Sequence, residues 1–381
     1  MSARLDPSRS ARFLYPGVSI LVVSESPGHL AWLAEFLCPD FATAPPADAD
    51  HTVILDIDTA RYLDLWRRGP DPSGTWIDCF ALDSGAVRLP RWRSSPDEIV
   101  VFDGEYRVFC IVTPDRRTIR LVAPRFGLTM RNTLMRVVRE LAMIAAERAG
   151  ALIVHGAAAL VGGAGLVFAG PKKAGKTTLL LHLLSRPGAA FVTNDRVAVT
   201  MEEAGGAALR GMPTIVAVRE RTARTFPAFD QRLRSSGFHA WSTLDEVARR
   251  RRRQAPAQRV WALSPTQLAT LLGVPRVASA ALESVLFPRV TGARGGIEIR
   301  RLAPSEASDR LRHALFRAHA PTSPVGVLLA PSDETTERAT RDELCRRLAD
   351  RVPCFDCALG REAYEEADGA ELFASPTTTT R

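Results

Sequence analysis

Leu166-Val167-Phe168-Ala169-Gly170-Pro171-Lys172-Lys173-Ala174-Gly175-Lys176-Thr177-Thr178-Leu179-Leu180-Leu181-His182-Leu183-Leu184-Ser185 contains three elements in direct succession. Leu166 to Ala169 is a short apolar run of the kind a buried strand requires. Gly170 to Thr177 follows the pattern G-x-x-x-x-G-K-S/T of a phosphate-binding loop. Thr178 to Ser185 is rich in good helix formers and free of Gly and Pro, so a helix follows. Glycines let successive N–H groups turn inward toward an anion. Lys176 adds a point charge, Thr177 offers a hydroxyl to a divalent cation, and the helix N-terminus adds its own donors and partial positive charge. Gly170, Pro171, Lys172, Lys173, Ala174, Gly175, Lys176, Thr177 and Thr178 are therefore the candidate phosphate-binding residues, with Lys172 and Lys173 contributing at least a positive field.

Two flanking stretches point at the same loop. Ala157 to Val161 and Leu166 to Ala169 surround Gly162-Gly163-Ala164-Gly165, which predicts a tight antiparallel hairpin. In that hairpin the start of the first strand lies beside the end of the second, which brings His155 to the loop. After the helix, Pro187-Gly188 stops the chain and Phe191-Val192-Thr193 returns to the sheet. Strand, helix, strand in one sheet predicts a right-handed parallel crossover. Asn194-Asp195-Arg196 then emerges at the sheet edge where open sheets bind ligands. Asp195 there can hold a metal with Thr177, or take a proton from an attacking hydroxyl. The structural alternatives are a packed strand-end His155, a turn-forming Asp195, and an Arg196 that pairs with a neighbouring carboxylate instead of a substrate. His182 reads as structural.

The pieces His155-Gly156, Gly162 to Gly165, Gly170 to Thr177 and Asn194-Asp195-Arg196-Val197 together resemble the nucleotide-binding domain of HPr kinase/phosphorylase-like proteins. The similarity is strong over His155–Val199 and looser from about Asn132 to Phe316. It implies an α/β fold, a P-loop kinase domain of HPr kinase/PEP carboxykinase type; the residues ahead of it read by themselves as a mixed α/β or β-rich N-terminal domain. It implies ATP and Mg²⁺ as cofactors and transfer of the γ-phosphoryl group to a serine-type hydroxyl. Carried over by position, Asp195, His155 and Lys176 become the catalytic set, and Thr177 and Asp195 the metal ligands. One position departs from the family pattern, which has an acidic pair where this chain has Asn194 followed by Asp195. An amide can orient water or coordinate through its oxygen, but it cannot accept a proton at neutral pH.

The rest of the chain frames this centre. The 381 residues, 46% hydrophobic and 24% charged, suit a soluble globular protein of two or three domains. The net charge of +8 favours anionic ligands without specifying nucleic acid. No apolar run is long enough to span a bilayer and Met1 to Arg12 lacks an apolar signal core, so a cytoplasmic location is expected. The expected division is a recognition or docking domain over 1–125, the nucleotide-binding domain over 126–360 and a flexible tail over 361–381. In the front part Val18 to Val23 and Thr52 to Leu55 read as strands, His29 to Leu37 as a helix, and Ile99 to Val112 as a hairpin about Asp103-Gly104; Asp56, Asp58 and Asp103 read as turn formers. Asn132 to Ala149 reads as an amphipathic helix opening the nucleotide domain. Residues 221–260 read as irregular and basic, with Arg249 to Arg253 a solvated run or an anion grip. Helices are expected over Pro265–Leu272, Ser305–Phe316 and Asp333–Asp350, and strands over Leu282–Phe287 and Val325–Leu329. Cys354 and Cys357 have C-x-x-C spacing with no second pair for zinc, and read as structural thiols.

Three functions remain open on these residues. The first is a kinase whose partner is a peptide or protein with a hydroxyl acceptor, chosen by the front domain. The second is a nucleotide-gated binding module with little or no transfer, which Asn194 favours. The third is a kinase of a small hydroxy compound. No nucleic-acid partner is expected, since no aromatic-basic stacking pattern accompanies the loop, and homo-oligomerisation is left open.

Overall fold

A computed structural model describes residues 6, 8–70, 74–80, 86–171, 173–203, 205–237, 260–291, 295–316, 328–329 and 334–360. Lys172, the Arg249 to Arg253 run and residues 361–381 lie outside the described residues. The fold is mixed α/β, and the chain divides into two compact units, with the boundary along the front half of the chain at Ile153/Val154.

The first unit is built on a nine-stranded sheet. Its strands are β1 (Ser10–Tyr15), β2 (Val18–Ser24), β3 (Ala42–Ala44), β4 (His51–Ile57), β5 (Thr75–Phe80), β6 (Ala86–Ser95), β7 (Glu98–Asp103), β8 (Val108–Val112) and β9 (Thr118–Ala123), in the order β3-β1-β2-β4-β9-β8-β7-β6-β5. β2, β4 and β9 are parallel and the remaining pairings antiparallel. Helices α1 (Pro27–Leu37), α2 (Thr59–Arg68) and α3 (Leu128–Arg148) complete it. Asp58 and Asp103 behave as cap and turn formers, whereas Asp56, read as a turn former, lies within β4. Asp58 accepts from the Ala60 and Arg61 amides at the start of α2, and Asp103 accepts from the Glu105 and Tyr106 amides between β7 and β8. Asp56 pairs with Arg61 and Arg120, each at 3.3 Å.

α3 spans the helix read at 132–149, but it packs on β2 and β8 and so belongs with the front sheet. The expected boundary at 125/126 thus falls about one helix too early. Helical spacing of Leu134, Val137, Val138 and Leu141 defines a face that must be buried; it does not say against which sheet.

The second unit begins with β10 (Leu152–Val161) and β11 (Ala164–Ala169), an antiparallel hairpin that pairs Gly156 with Ala169. Gly162 and Gly163, at φ +58° and +87°, form its turn. Two successive left-handed residues match the twist of a tight hairpin. After α4 (Lys176–Leu184), β12 (Ala190–Thr193) pairs antiparallel with the other edge of β10. β11 and β12 are therefore parallel, with β10 between them, as the crossover reading requires. β13 (Arg196–Met201) and β14 (Ala207–Met212) form the next hairpin. β17 (Ser279–Val290) joins β14 at one end, β11 in its middle and β19 (Cys354–Leu359) at the other. β10, β13, β14, β17 and β11 thus close into a ring. Gly165 permits that closure, because a Cβ there would lie 2.1 Å from the Ala281 carbonyl oxygen. β18 (Ile297–Arg301) flanks β19, and α8 (Pro304–Ala314) and α9 (Glu334–Arg351) fall where helices were read.

Two expectations need correction. Residues 221–260 are not irregular throughout: α5 (Glu220–Arg224) and α6 (Pro227–Ser235) follow β15 (Val216–Arg219), and β16 (Val260–Leu263) pairs with β15. Arginine-rich composition conceals these helices, whose order comes from burying Ala223, Phe229 and Leu233 and from pairs one turn apart, Glu220 with Arg224 and Asp230 with Arg234. In the stretch read as a strand over Val325–Leu329, the described residues Leu328 and Leu329 are helical. α7 (Pro265–Leu272) closes the region with a capping box in which the Ser264 hydroxyl accepts from the Gln267 amide.

One core joins these parts. Phe168, Leu179 to Leu181 and Leu183 pack with Val216, Val218, Ala223, Phe229, Leu233 and Leu268. Cys354 and Cys357 are free thiols buried in β19, each pushed up to about 12 by burial, which agrees with a structural role. Among the described residues no helix is long and apolar enough to cross a membrane.

Candidate functional site

The loop between β11 and α4 turns through backbone conformations that its glycines make accessible. Gly170 has φ +149° and Gly175, the residue before α4, has φ +106°. Gly175 is doubly constrained, since a Cβ would lie 2.9 Å from Val290 Cγ2 and 3.1 Å from Leu359 Cδ1. Lys173 also adopts a left-handed φ of +73°, a conformation that costs a non-glycine residue about 1 kcal/mol or more. The Ala174 amide closes a turn onto the Pro171 carbonyl at 3.2 Å.

Lys176 is only 8% exposed, and its ammonium donates to the Gly170 and Pro171 carbonyls at 2.7 and 2.9 Å. Burial pushes its pKa down to about 8, and the nearby Asp195 charge partly opposes this. The folded value lies below the ordinary 10.5, so the folded protein binds fewer protons between about pH 8 and 10.5. The cost of burying this charge is therefore fully present below pH 8 and is relieved as pH rises through that window. An anion set against the ammonium reverses the burden by favouring its charged form. The expected result is that affinity for a nucleotide is insensitive to this group below pH 8. Above pH 8 it falls by about tenfold per pH unit, with uptake of about one proton. Titration calorimetry in buffers of different ionisation enthalpy checks both.

β10 and β13 bring the remaining groups to this loop. The Gly156 amide donates to the Asp195 carbonyl at 3.0 Å, which pins the end of β12 beside His155. His155 Nε2 lies 3.4 Å from Asp195 Oδ1, and Arg196 Nε lies 3.7 Å from Asp195 Oδ2. The carboxylate therefore has one oxygen toward an imidazole and the other toward a buried guanidinium. His155 and Asp195 side chains remain about one-third exposed, so a ligand can reach them. Asn194 donates from Nδ2 to the Ile215 carbonyl at 3.4 Å, while its buried Oδ1 has no hydrogen-bond partner among the described residues.

These groups open onto one cavity of about 610 Å³. Of the residues singled out from sequence, His155, Lys173, Gly175, Lys176, Thr177, Thr178 and Asp195 line it. Gly170, Pro171 and Ala174 shape the loop behind that wall, and Arg196 is turned to Asp195 rather than to the cavity. Asn194 is on the wall as well.

Sequence reasoning did not assign the rest of the lining. Ile215, Ala217 and Arg219 line the cavity while Val216 and Val218 are buried in the core. This is the alternation of a strand with one face packed and one open. Arg221, Thr222 and Thr225 continue the wall along one face of α5 and the turn after it. The signal available in the sequence was Ile215-Val216-Ala217-Val218-Arg219, whose period-two pattern separates the two sets.

The residues present could hold a nucleoside triphosphate with Mg²⁺. The described residues contain no cluster of three or more His, Cys, Asp or Glu able to hold a metal. Mg²⁺ does not require one, since it retains waters and binds through one or two carboxylates together with substrate phosphates. Thr177 and Asp195, both on the cavity lining, could supply that partial set. No protein-family model matches the chain, and no curated protein matches it.

Proposed function

We propose that this protein is an ATP-dependent kinase that transfers the γ-phosphoryl group to a serine-type hydroxyl, acting through a P-loop domain of HPr kinase-like type. The single observation behind this is the convergence of His155, Asp195, Lys176 and Thr177 on one cavity from three separate segments. A phosphate-binding loop alone would support nucleotide binding. A carboxylate and an imidazole 3.4 Å apart on the same wall add the means to move a proton.

Phosphoryl transfer depends mainly on positioning and charge stabilisation. Lys176 and the amides of the loop and of the α4 N-terminus hold the phosphate oxygens. Thr177 and Asp195 would hold Mg²⁺, which neutralises charge on the β- and γ-phosphates when bound. Asp195 accepts the acceptor's proton as the hydroxyl oxygen bonds to phosphorus and the bond to the ADP oxygen breaks, and His155 orients that carboxylate. Asn194 leaves Asp195 as the only carboxylate among the described residues of the lining.

The test is turnover. Purified protein, ATP and Mg²⁺ are incubated with serine-containing peptides and with small hydroxy acids, and products are read by mass spectrometry. An added phosphate on an acceptor, with one ADP released per phosphate, is the expected outcome. Tight ATP binding with no transfer to any acceptor would favour a nucleotide-gated binding module, the reading that Asn194 supports.

A further inference from the structure

The two walls of the cavity differ in what they can bind. Lys173, Lys176 and Thr177 belong to the loop and serve the triphosphate. Arg219, Arg221, Thr222 and Thr225 belong to β15, α5 and the turn that follows. Neither Arg219 nor Arg221 has a carboxylate partner among the described residues, although an acidic residue lies between them. Glu220 is bound by Arg224 at 2.7 Å and by Arg234 at 3.4 Å. The segment's own acid is thus neutralised elsewhere and the two guanidinium groups remain for the cavity. Among the described residues the cations on the lining are Lys173, Lys176, Arg219 and Arg221, and the one carboxylate is Asp195. A Mg²⁺-bound triphosphate carries a net charge of about −2, so it does not use up this surplus.

The arginine wall is also rigidly placed. Val216, Val218 and Ala223 enter the same core as Leu179, Leu180 and Leu183 of the helix behind the phosphate loop. Packing at interior density keeps the two walls in one register. A planar guanidinium suits bidentate pairing with a carboxylate or phosphate.

Resting on the kinase reading above, we propose that Arg219 and Arg221 form an acceptor subsite for an anionic group, so that the hydroxyl phosphorylated here is carried by an acidic substrate. The shared chemistry is a carboxylate or phosphate close to a hydroxyl. An acidic peptide segment and a small hydroxy acid are its two sources. Thr222 and Thr225 border the same wall, although the Thr225 hydroxyl already donates to the Arg221 carbonyl at 3.1 Å.

The test uses the full chain saturated with AMPPNP and Mg²⁺. Fluorescence polarisation compares a labelled Gly-Asp-Ser-Asp-Gly peptide with its Gly-Asn-Ser-Asn-Gly counterpart, and glycerate is added as competitor. The acidic peptide is expected to bind at least about tenfold more tightly, the scale of one charge-assisted hydrogen bond. That preference should shrink with added salt. Arg219→Gln with Arg221→Gln should remove it while changing AMPPNP affinity by less than about threefold. Arg221→Gln alone, at an exposed position, gives part of the loss without risk to folding. Displacement of the peptide by glycerate at millimolar concentration assigns the subsite to a small acid; its failure assigns it to a peptide. Equal binding of both peptides with no glycerate binding overturns the proposal, as does a double variant that weakens AMPPNP as much as the acidic ligand. If the wild type fails to bind AMPPNP, the kinase reading fails instead, and an arginine-dependent preference for the acidic peptide would still support the subsite.

Discussion

Replacing Lys176 with Met removes nucleotide binding, with an expected loss of about 3 kcal/mol or more, at least a hundredfold in Kd. Methionine keeps the apolar stem of the buried side chain and deletes only the charge and its donors. In the ligand-free protein that charge is a liability: burial pushes the ammonium down to about 8, and its two partners are neutral loop carbonyls. A buried cation whose hydrogen bonds go to neutral acceptors, with the Asp195 charge offsetting only part of the burial, costs stability. Thermal stability of the Met variant without nucleotide is therefore expected to equal or exceed that of the parent at pH 7. Loss of binding with retained or higher Tm identifies Lys176 as the anion-binding cation. A variant that binds ATP normally would remove the basis for the kinase reading.

Replacing Asp195 with Asn lowers phosphoryl transfer by about 10²- to 10⁴-fold, the usual contribution of a positioned proton acceptor. The amide preserves shape and can still face His155, but it accepts no proton at neutral pH. Nucleotide affinity at saturating Mg²⁺ should change much less, because on the proposed reading Lys176 and the loop amides would supply most of the anion contact. The neighbouring Asn194 allows a stricter test. Its Oδ1 is buried without a hydrogen-bond partner among the described residues and it lines the same cavity. Introducing Asn194→Asp into the Asp195→Asn variant returns a carboxylate one residue away, and recovery of transfer would show that a carboxylate on this wall, as proton acceptor or metal ligand, is what the reaction needs. Single-turnover rates measured by rapid quench separate this from changes in product release. An Asp195→Asn variant with parental rates would assign the carboxylate to structure alone, as partner of His155 and Arg196.

Local sequence determined much of this site because its elements are short-range. The double-glycine turn, the apolar strand before the loop, the glycines that allow positive φ and the helix formers after Thr178 each act within a few residues. From them the hairpin, the loop from Gly170 to Gly175 and the return of the chain at Phe191 to Thr193 follow, and so does the approach of His155 and Asp195 to that loop. The 3.4 Å approach of those two side chains was not readable, because it depends on the Gly156 amide bonding to the Asp195 carbonyl between strands separated by a whole crossover.

Three features came only from tertiary structure. The face of α3 was visible as a helical stripe, but its partner, the front sheet, was decided by non-local packing. Closure of β10, β13, β14, β17 and β11 into a ring depends on pairing β11 with a strand more than a hundred residues away. The arginine wall depends on both effects: Val216 and Val218 must enter a core shared with α4 before Ala217 and Arg219 are turned toward the phosphate loop. Periodicity states which residues must be buried together on one face. Which surface buries them, and so which charges end up lining one cavity, is set by contacts that no single segment contains.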